Sequence, residues 1–147
     1  MTRENEYKRL LPSIKSLLEG ENDEIANMAN IAAVLKETFG FWWVGFYRVL
    51  GDELLLGPFQ GPVACTRIKY GRGVCGSAWM RKEAIIVPDV ELFEGHIACS
   101  AASKSEIVIP LFCKDEVLGV LDIDSAKLND FDEVDEKYLT LIVKCLH

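Results

Sequence analysis

The chain has 147 residues, half of them hydrophobic, and a formal net charge of −7. This length predicts one domain over residues 1–147 with a substantial core, and the negative charge argues against a nucleic-acid surface, which needs clustered lysine and arginine. The start of the chain is too polar for a signal peptide, and no apolar run approaches the roughly 20 residues of a membrane span. Five cysteines without a secretion signal fit a reducing compartment, so we expect a cytoplasmic protein.

Two helices are predicted at the start of the chain. Residues 7–18 carry apolar side chains at the helical period, and Gly20 is the expected stop. Pro12 should either kink this helix or mark its first turn. A second helix is expected from a cap at Asn22 to a stop at Gly40.

The middle of the chain predicts strands with helical insertions. Residues 41–50 are rich in aromatic and β-branched side chains, and residues 53–59 read as the returning strand. A loop marked by glycine and proline carries Cys65, after which a short helix at 74–81 and a strand at 84–87 are expected. Residues 93–103 have no clear period, so Cys99 is expected on a loop or an irregular helix.

The last third of the chain predicts a hairpin and a final helix. Strands at 106–113 and 117–124 should turn near Lys114-Asp115. Asp130 and Glu133 are spaced as a capping box for the last helix. This order of elements predicts an α+β fold, with a central antiparallel sheet flanked by N-terminal and C-terminal helices.

Three cysteines lie in one glycine-punctuated stretch and are candidates for thiol redox chemistry. They are Cys65, Cys75 and Cys99. A thiolate is a strong nucleophile, and a second thiol can resolve the sulfenic acid that the first one becomes. The alternative is that cysteine fills core space, which is our interpretation of Cys113 and Cys145. A zinc site made from His96 and the three candidates lacks the paired Cys-x-x-Cys spacing, so we expect no metal.

Three acids come from the two strands of the predicted hairpin. Asp122 and Asp124 are two residues apart and share a face, and Glu106 lies on the partner strand. A two-residue turn would place Glu106 opposite Ile123, whereas a three-residue turn or one bulge would place it opposite Asp124. The sequence leaves both alternatives open. If the acids converge, desolvation and repulsion should raise at least one pKa. The apolar residues predicted to share their face are Leu118 and Val120.

Two aromatic residues share one face of the first predicted strand. Trp43 and Tyr47 flank Gly45 on that face. Aromatic side chains in a strand most often pack in a core, and the walls of a binding pocket are the alternative. Trp42 and Trp79 are interpreted as structural.

Five segments of the sequence resemble one family of enzymes. They are Gly-Arg-Gly-Val-Cys-Gly at 71–76, Pro-Asp-Val at 88–90, Gly-His-Ile-Ala-Cys at 95–99, Ser-Glu-Ile-Val at 105–108 and Gly-Val-Leu-Asp-Ile-Asp-Ser at 119–125. With these segments the chain resembles the free methionine-(R)-sulfoxide reductases, which are stand-alone GAF-domain enzymes. The similarity runs over about residues 42–135. Ser100 departs from the family pattern, which often has an acid after the cysteine.

The resemblance implies a reaction and a set of roles. A thiolate, for which Cys99 is the candidate, attacks the sulfur of free methionine-(R)-sulfoxide and becomes a sulfenic acid. Cys65 is the candidate that resolves it to a disulfide, and thioredoxin then reduces that disulfide. Cys75 matches a third family cysteine whose role stays open. The resemblance implies no metal or organic cofactor, and it makes a homodimer plausible.

The acids and aromatic residues also gain roles from this resemblance. A protonated member of the set Glu106, Asp122 and Asp124 could donate to the sulfoxide oxygen, and an ionised member could hold the substrate's ammonium group. Trp43 and Tyr47 would wall the pocket around the substrate's methyl group. A non-catalytic GAF module that senses a small ligand or redox state is the alternative function. The combination of three thiols and three acids favours the enzyme.

Overall fold

The computed structural model describes residues 1–95 and 102–146, which form one antiparallel sheet with helices on both faces. The strands are β1 (Trp43–Leu50), β2 (Glu53–Gln60), β3 (Arg67–Lys69), β4 (Ile85–Val87), β5 (Ser105–Cys113) and β6 (Glu116–Ser125). The helices are α1 (Arg3–Leu18), α2 (Glu24–Phe39), α3 (Gly73–Arg81) and α4 (Glu133–Val143), with a short 3₁₀ turn at Val90–Leu92. The strand order is β3-β2-β1-β6-β5-β4.

The sheet separates two apolar clusters. The larger cluster packs α1, α2 and α4 against one face of β1, β5 and β6. The smaller cluster lies on the other face, where α3 packs against β5 and β6. The predicted α+β fold with flanking terminal helices is therefore confirmed. Across the described ranges, every helix is too short or too polar to cross a membrane.

Two predicted helix caps were wrong by one or two residues. The cap of α2 is Asp23, whose side chain accepts from the N–H of Ala26, and not Asn22. The capping box of α4 is formed by Asp132 and Asp135 instead of Asp130 and Glu133. Asp130 is unavailable as a cap because its carboxylate is bound to Arg3 and Ser125.

The first helix begins earlier than the apolar pattern indicates. Thr2 caps α1 by accepting from the N–H of Asn5, so Pro12 lies well inside the helix and does not mark its first turn. Strand β3 was not predicted, because residues 67–69 fall in a segment dominated by turn signals. This short strand pairs with residues 53–55 of β2 at the edge of the sheet.

Candidate active site

The pairing of β5 with β6 brings the predicted acids together. Glu106 lies directly opposite Asp124, and Asp122 lies two residues earlier on β6, on the same face. The turn at Lys114-Asp115 has two residues, since Cys113 pairs with Glu116. A bulge beside Leu111 shifts the register by one residue. The bulge alternative is therefore the observed one, and it turns Glu106 toward the two aspartates.

The same bulge makes one prediction about this face wrong. Leu118 is the extra residue between the pairs Leu111–Gly119 and Phe112–Val117, and half of its surface is exposed. Val120 is fully buried on the face of the acids, as expected. Side chains of β6 alternate regularly between the two faces of the sheet from Val120 onward. The extra residue at the bulge shifts this alternation by one position, so Leu118 does not share the face of Val120.

Trp43 and Tyr47 form an aromatic wall beside the acids. Both side chains are buried, and their ring centroids lie 6.0 Å apart in a stacked arrangement. The indole N–H of Trp43 donates to the carbonyl of Pro62, and the hydroxyl of Tyr47 donates to the carbonyl of Cys65, each at 2.9 Å. These two bonds tie the loop that carries Cys65 to strand β1.

Gly45 gives this wall its shape, and its replacement should be costly. A Cβ at Gly45 would lie 2.4 Å from the Trp43 ring and 2.5 Å from Cβ of Phe59. We expect Gly45→Ala to lower the free energy of unfolding by about 1–3 kcal/mol, because a packed ring must move. Gly57→Ala on β2 is the control, since its nearest contact is 3.1 Å away. Equal losses in urea titrations of the two variants would contradict this prediction.

The acids and the aromatic wall line one cavity of about 620 Å³, a volume that includes its open mouth. The three acids, Trp43, Tyr47 and Cys75 all contribute to its surface. The cavity lies between α3, the ends of β1, β5 and β6, and the loop before β3. The residues predicted for substrate binding therefore meet in one place, which is the geometry that a small-molecule site requires.

The three candidate thiols stand in different situations. Cys65 is disulfide-bonded, and its carbonyl accepts from Tyr47. Cys75 is a free thiol that is almost completely buried beside the acids. Cys99 lies outside the described residues, as does His96. The expectation that Cys113 fills core space was wrong, because Cys113 is exposed near the hairpin turn, whereas Cys145 is partly buried against the larger cluster.

Burial and proximity change the acidity of the acid cluster. Desolvation raises the pKa of Glu106 well above its ordinary value, and the charges of Asp122 and Asp124 add to the rise. Desolvation, followed by the charge of Asp122, also raises the pKa of Asp124. A hydrogen bond from Glu106 opposes that second rise. The prediction that convergence raises at least one pKa is confirmed. The arrangement favours a protonated Glu106 whose carboxyl O–H donates a hydrogen bond to Asp124.

Cys75 is the thiol nearest the acids. Burial raises the pKa of the Cys75 thiol well above its ordinary value, and the charges of Asp122 and Glu106 add to this. The sulfur of Cys75 and carboxylate oxygens of Glu106 and Asp122 lie within 4.8 Å of one another. Within the described ranges, this is the group whose atoms could hold a metal ion. Binding of an ion would have to displace protons that burial favours.

Three cavity residues were missed or misjudged at the level of the sequence. Trp42, interpreted as structural, lines the cavity, as do Arg72 and Ser103. Trp42 precedes the first residue of β1, so strand alternation gives no information about its direction. Ser103 falls in a segment without a period. Arg72 is the second residue of the segment at 71–76 that carries part of the family resemblance, and it could have been proposed as the cation that balances the acids.

The fold and the cavity define a GAF domain. The family described as "GAF domain" matches residues 23–144 of this chain. The chain is 62% identical to GAF domain-containing protein A of Dictyostelium discoideum, over 99% of this chain and 92% of that protein. It is 46% identical to the free methionine-R-sulfoxide reductase of Escherichia coli, over 97% of this chain and 87% of the enzyme.

A solved structure also places the chain among the free methionine-R-sulfoxide reductases. A free methionine-R-sulfoxide reductase from Neisseria meningitidis, in complex with its substrate, superposes with a TM-score of 0.97 and 52% identity. The superposition covers 99% of this chain and 88% of that one. The chain belongs to the free methionine-R-sulfoxide reductase family, so the resemblance seen in the sequence is confirmed.

Proposed function

We propose that this protein reduces the R epimer of free methionine sulfoxide to methionine. One observation carries the proposal: three acids, the buried Glu106 and Asp122 and the partly buried Asp124, converge on an aromatic cavity in a chain of this family. The Neisseria relative is described as bound to its substrate, which supports a small-molecule substrate for this chain. The proposed substrate is small and zwitterionic, and it suits a cavity with polar groups at its base and aromatic rings along its wall.

The proposed thiol cycle begins with Cys99. Its thiolate attacks the sulfoxide sulfur, the oxygen takes up a proton and passes to Cys99 as a sulfenic acid, and methionine leaves. The thiol of Cys65 then condenses with the sulfenic acid, which forms a disulfide and releases water. The dithiol of thioredoxin returns both cysteines to thiols as it becomes a disulfide. The disulfide-bonded state of Cys65 supports its redox role.

The acids divide between two tasks in this proposal. Glu106 is our candidate for the proton donor, because burial and two neighbouring carboxyl groups favour its protonated form. Either Asp122 or Asp124, when ionised, holds the ammonium group of the substrate. The substrate's own positive charge would stabilise that ionised form inside the cavity.

The opposite end of the substrate carries a carboxylate, and the start of α3 fits this charge. Arg72 is the N-terminal cap residue of α3, and it makes no side-chain cap hydrogen bond. Arg72, Gly73 and Val74 all line the cavity. A guanidinium group beside the first turn of a helix favours an anion. The two ends of a free amino acid thus find complementary charges.

The remaining cavity residues have supporting roles. Trp43 and Tyr47 would pack against the methyl and methylene groups of the substrate. Cys75 is the third candidate thiol, and it could relay the disulfide. A buried thiol with a raised pKa is a poor nucleophile at neutral pH, so we place it behind Cys99 and Cys65 in importance.

The thiol cycle also suggests the compartment and the reductant of the proposed enzyme. We expect a cytoplasmic enzyme with thioredoxin as its reductant, because the cycle needs a reducing partner. The cycle uses neither a metal nor an organic cofactor. We also expect a homodimer, which size-exclusion chromatography with light scattering would test.

Substrate form provides the test of the proposed function. Purified protein with a dithiol reductant should convert free methionine-(R)-sulfoxide, and it should convert the S epimer far more slowly. Acylation of the amine removes the positive charge that an ionised acid of the cavity would bind. Activity on N-acetyl-methionine-(R)-sulfoxide should therefore fall by roughly 10²-fold, which corresponds to the loss of a charged hydrogen bond of about 2–3 kcal/mol. Methionine production is followed by chromatography. Equal rates on the free and acylated sulfoxides would overturn the proposal.

A further inference from the structure

A set of hydrogen bonds holds the ends of β5 and β6 on the side of the sheet opposite the cavity. Ser105 comes directly before Glu106, Ser125 comes directly after Asp124, and the two serines pair across the strands. Neighbouring residues of a strand point to opposite faces. The acids therefore face the cavity, while the two serines, both buried, face the helices.

The loop between β6 and α4 provides the partners of these serines. The hydroxyl of Ser125 donates to the carboxylate of Asp130 at 2.5 Å and accepts from the N–H of Lys127 at 3.1 Å. The hydroxyl of Ser105 donates to the carbonyl of Lys127 at 2.5 Å and accepts from the N–H of Asp130 at 3.3 Å. The two strand ends are thus fixed to one loop and, through it, to each other.

Helix α1 holds the loop in place. The guanidinium of Arg3 donates to the Asp130 carboxylate at 2.9 Å and also to the Asp130 carbonyl. It reaches Asp135 of α4 at 3.4 Å, and it lies 5.3 Å from the centre of the Phe41 ring, just before β1. Asp130 therefore stands between the N-terminal helix and the two strands that carry the acids.

We propose that Asp130 is a positioning residue for the reductase site, because through Ser125 and Ser105 it sets the separation between Glu106 and Asp124. Glu106 and Asp124 are direct cross-strand partners. Movement of either strand end changes the distance between their carboxyl groups and hence their mutual repulsion. The inference rests on the proposed function for its catalytic consequence, but the pKa values of the two carboxyl groups, which respond to their separation, can be measured without turnover.

Other titratable or charged groups line the cavity together with the acid pair. These are Asp122 on β6, Cys75 on α3, Tyr47 on β1 and Arg72 before α3. All of them line the cavity, on the far side of the sheet from Asp130. A substitution at Asp130 leaves these groups chemically unchanged, so a change in the titration of the pair would report on its geometry.

The test compares Asp130→Ala with Tyr7→Phe. Tyr7→Phe removes a buried hydrogen bond of 2.6 Å to Asp135, so it weakens the same junction of α1 and α4 without touching the strand ends. We expect Asp130→Ala to lower kcat by roughly 10- to 100-fold, as displaced catalytic groups do, with a smaller change in KM. Its alkaline limb in the pH–rate profile should move to lower pH, because less repulsion lowers the pKa of the donor. Tyr7→Phe should lose stability only.

Asp130→Asn adds a rescue arm to the experiment. An amide still offers an oxygen to Ser125, so this variant should recover most of kcat although it loses the ion pair with Arg3. If Asp130→Ala does not fold, Ser125→Ala takes its place, since it breaks the link to the strand end and leaves the ion pair intact.

Carboxyl ¹³C NMR titration of Glu106 and Asp124 separates the positioning role of Asp130 from the proposed reductase function. If the wild-type protein does not reduce the sulfoxide, the proposed function is wrong. A lowered carboxyl pKa in Asp130→Ala would still support the positioning role in that case. Titrations and pH–rate profiles in Asp130→Ala that match those of wild type and Tyr7→Phe would overturn the positioning role.

Discussion

Replacement of Cys99 by serine is expected to abolish methionine formation, even in a single turnover without reductant. A serine hydroxyl is a far poorer nucleophile than a thiolate at neutral pH, and nothing downstream can replace the first step. Rapid mixing of reduced protein with one equivalent of sulfoxide, followed by mass spectrometry of the released methionine, measures the loss. Cys113→Ser is the matched control, because Cys113 is a free and exposed thiol. A normal burst from Cys99→Ser would move the nucleophile to Cys75 or Cys65.

The same experiment separates the attacking thiol from the resolving one. Cys65→Ser should still form one equivalent of methionine and should leave a sulfenic acid on Cys99 that a trapping reagent labels. Turnover with thioredoxin should slow, because thioredoxin acts on a disulfide. Since Cys75 could substitute as the resolving thiol, the double change Cys65→Ser with Cys75→Ser is the cleaner variant. Unchanged thioredoxin-dependent turnover in the double variant would remove the disulfide mechanism.

Amide substitutions in the acid cluster are expected to have the next largest effect. Glu106→Gln and Asp124→Asn keep shape but cannot supply a proton, so turnover should fall on the order of 10²-fold or more for the residue that is the donor. Steady-state kinetics with free methionine-(R)-sulfoxide would measure this. Two amide variants with wild-type kcat and an intact fold would mean that neither residue is the donor.

Stability measurements provide the control for these amide variants. The pKa values of Glu106 and Asp124 are raised in the folded protein, mainly by burial. A raised pKa in the folded state means that stability is fully present below the unfolded-state pKa and is lost as pH rises through the folded-state pKa. The wild type should therefore lose stability toward alkaline pH more steeply than Glu106→Gln or Asp124→Asn. Thermal unfolding at several pH values would show the amide variants to be no less stable where the acids are ionised.

The sequence predicts the secondary structure around the site well, because the hairpin has strong alternation and clear turn signals. It leaves the register open, because the pairing of Glu106 depends on one bulged residue, Leu118, that the pattern does not mark. Leu118 is apolar and continues the alternation, yet it is half exposed. Only the pairing with β5 decides which residue of β6 is the extra one.

The errors at the helix caps have a different physical cause. Asp130 has the right residue type and spacing for a cap, but Arg3 and Ser125 bind its carboxylate. Arg3 is distant in sequence, so local propensity contains no sign of this competition. The position of Arg72 in the cavity was missed for a related reason: the sequence places Arg72 just before a predicted helix but does not show which residues fold around it.

The buried acids also couple the occupancy of the cavity to the proton concentration of the solution. Glu106 and Asp124 hold protons more tightly than exposed carboxyl groups, because their charges lack water. Entry of a cationic group favours ionised carboxylates, so binding should expel protons and become tighter as pH rises. In the proposed mechanism, proton donation to the sulfoxide oxygen requires the opposite state of one of the same groups. We therefore expect turnover to be fastest at a compromise pH, where one carboxyl group has released its proton and its neighbour has kept its own.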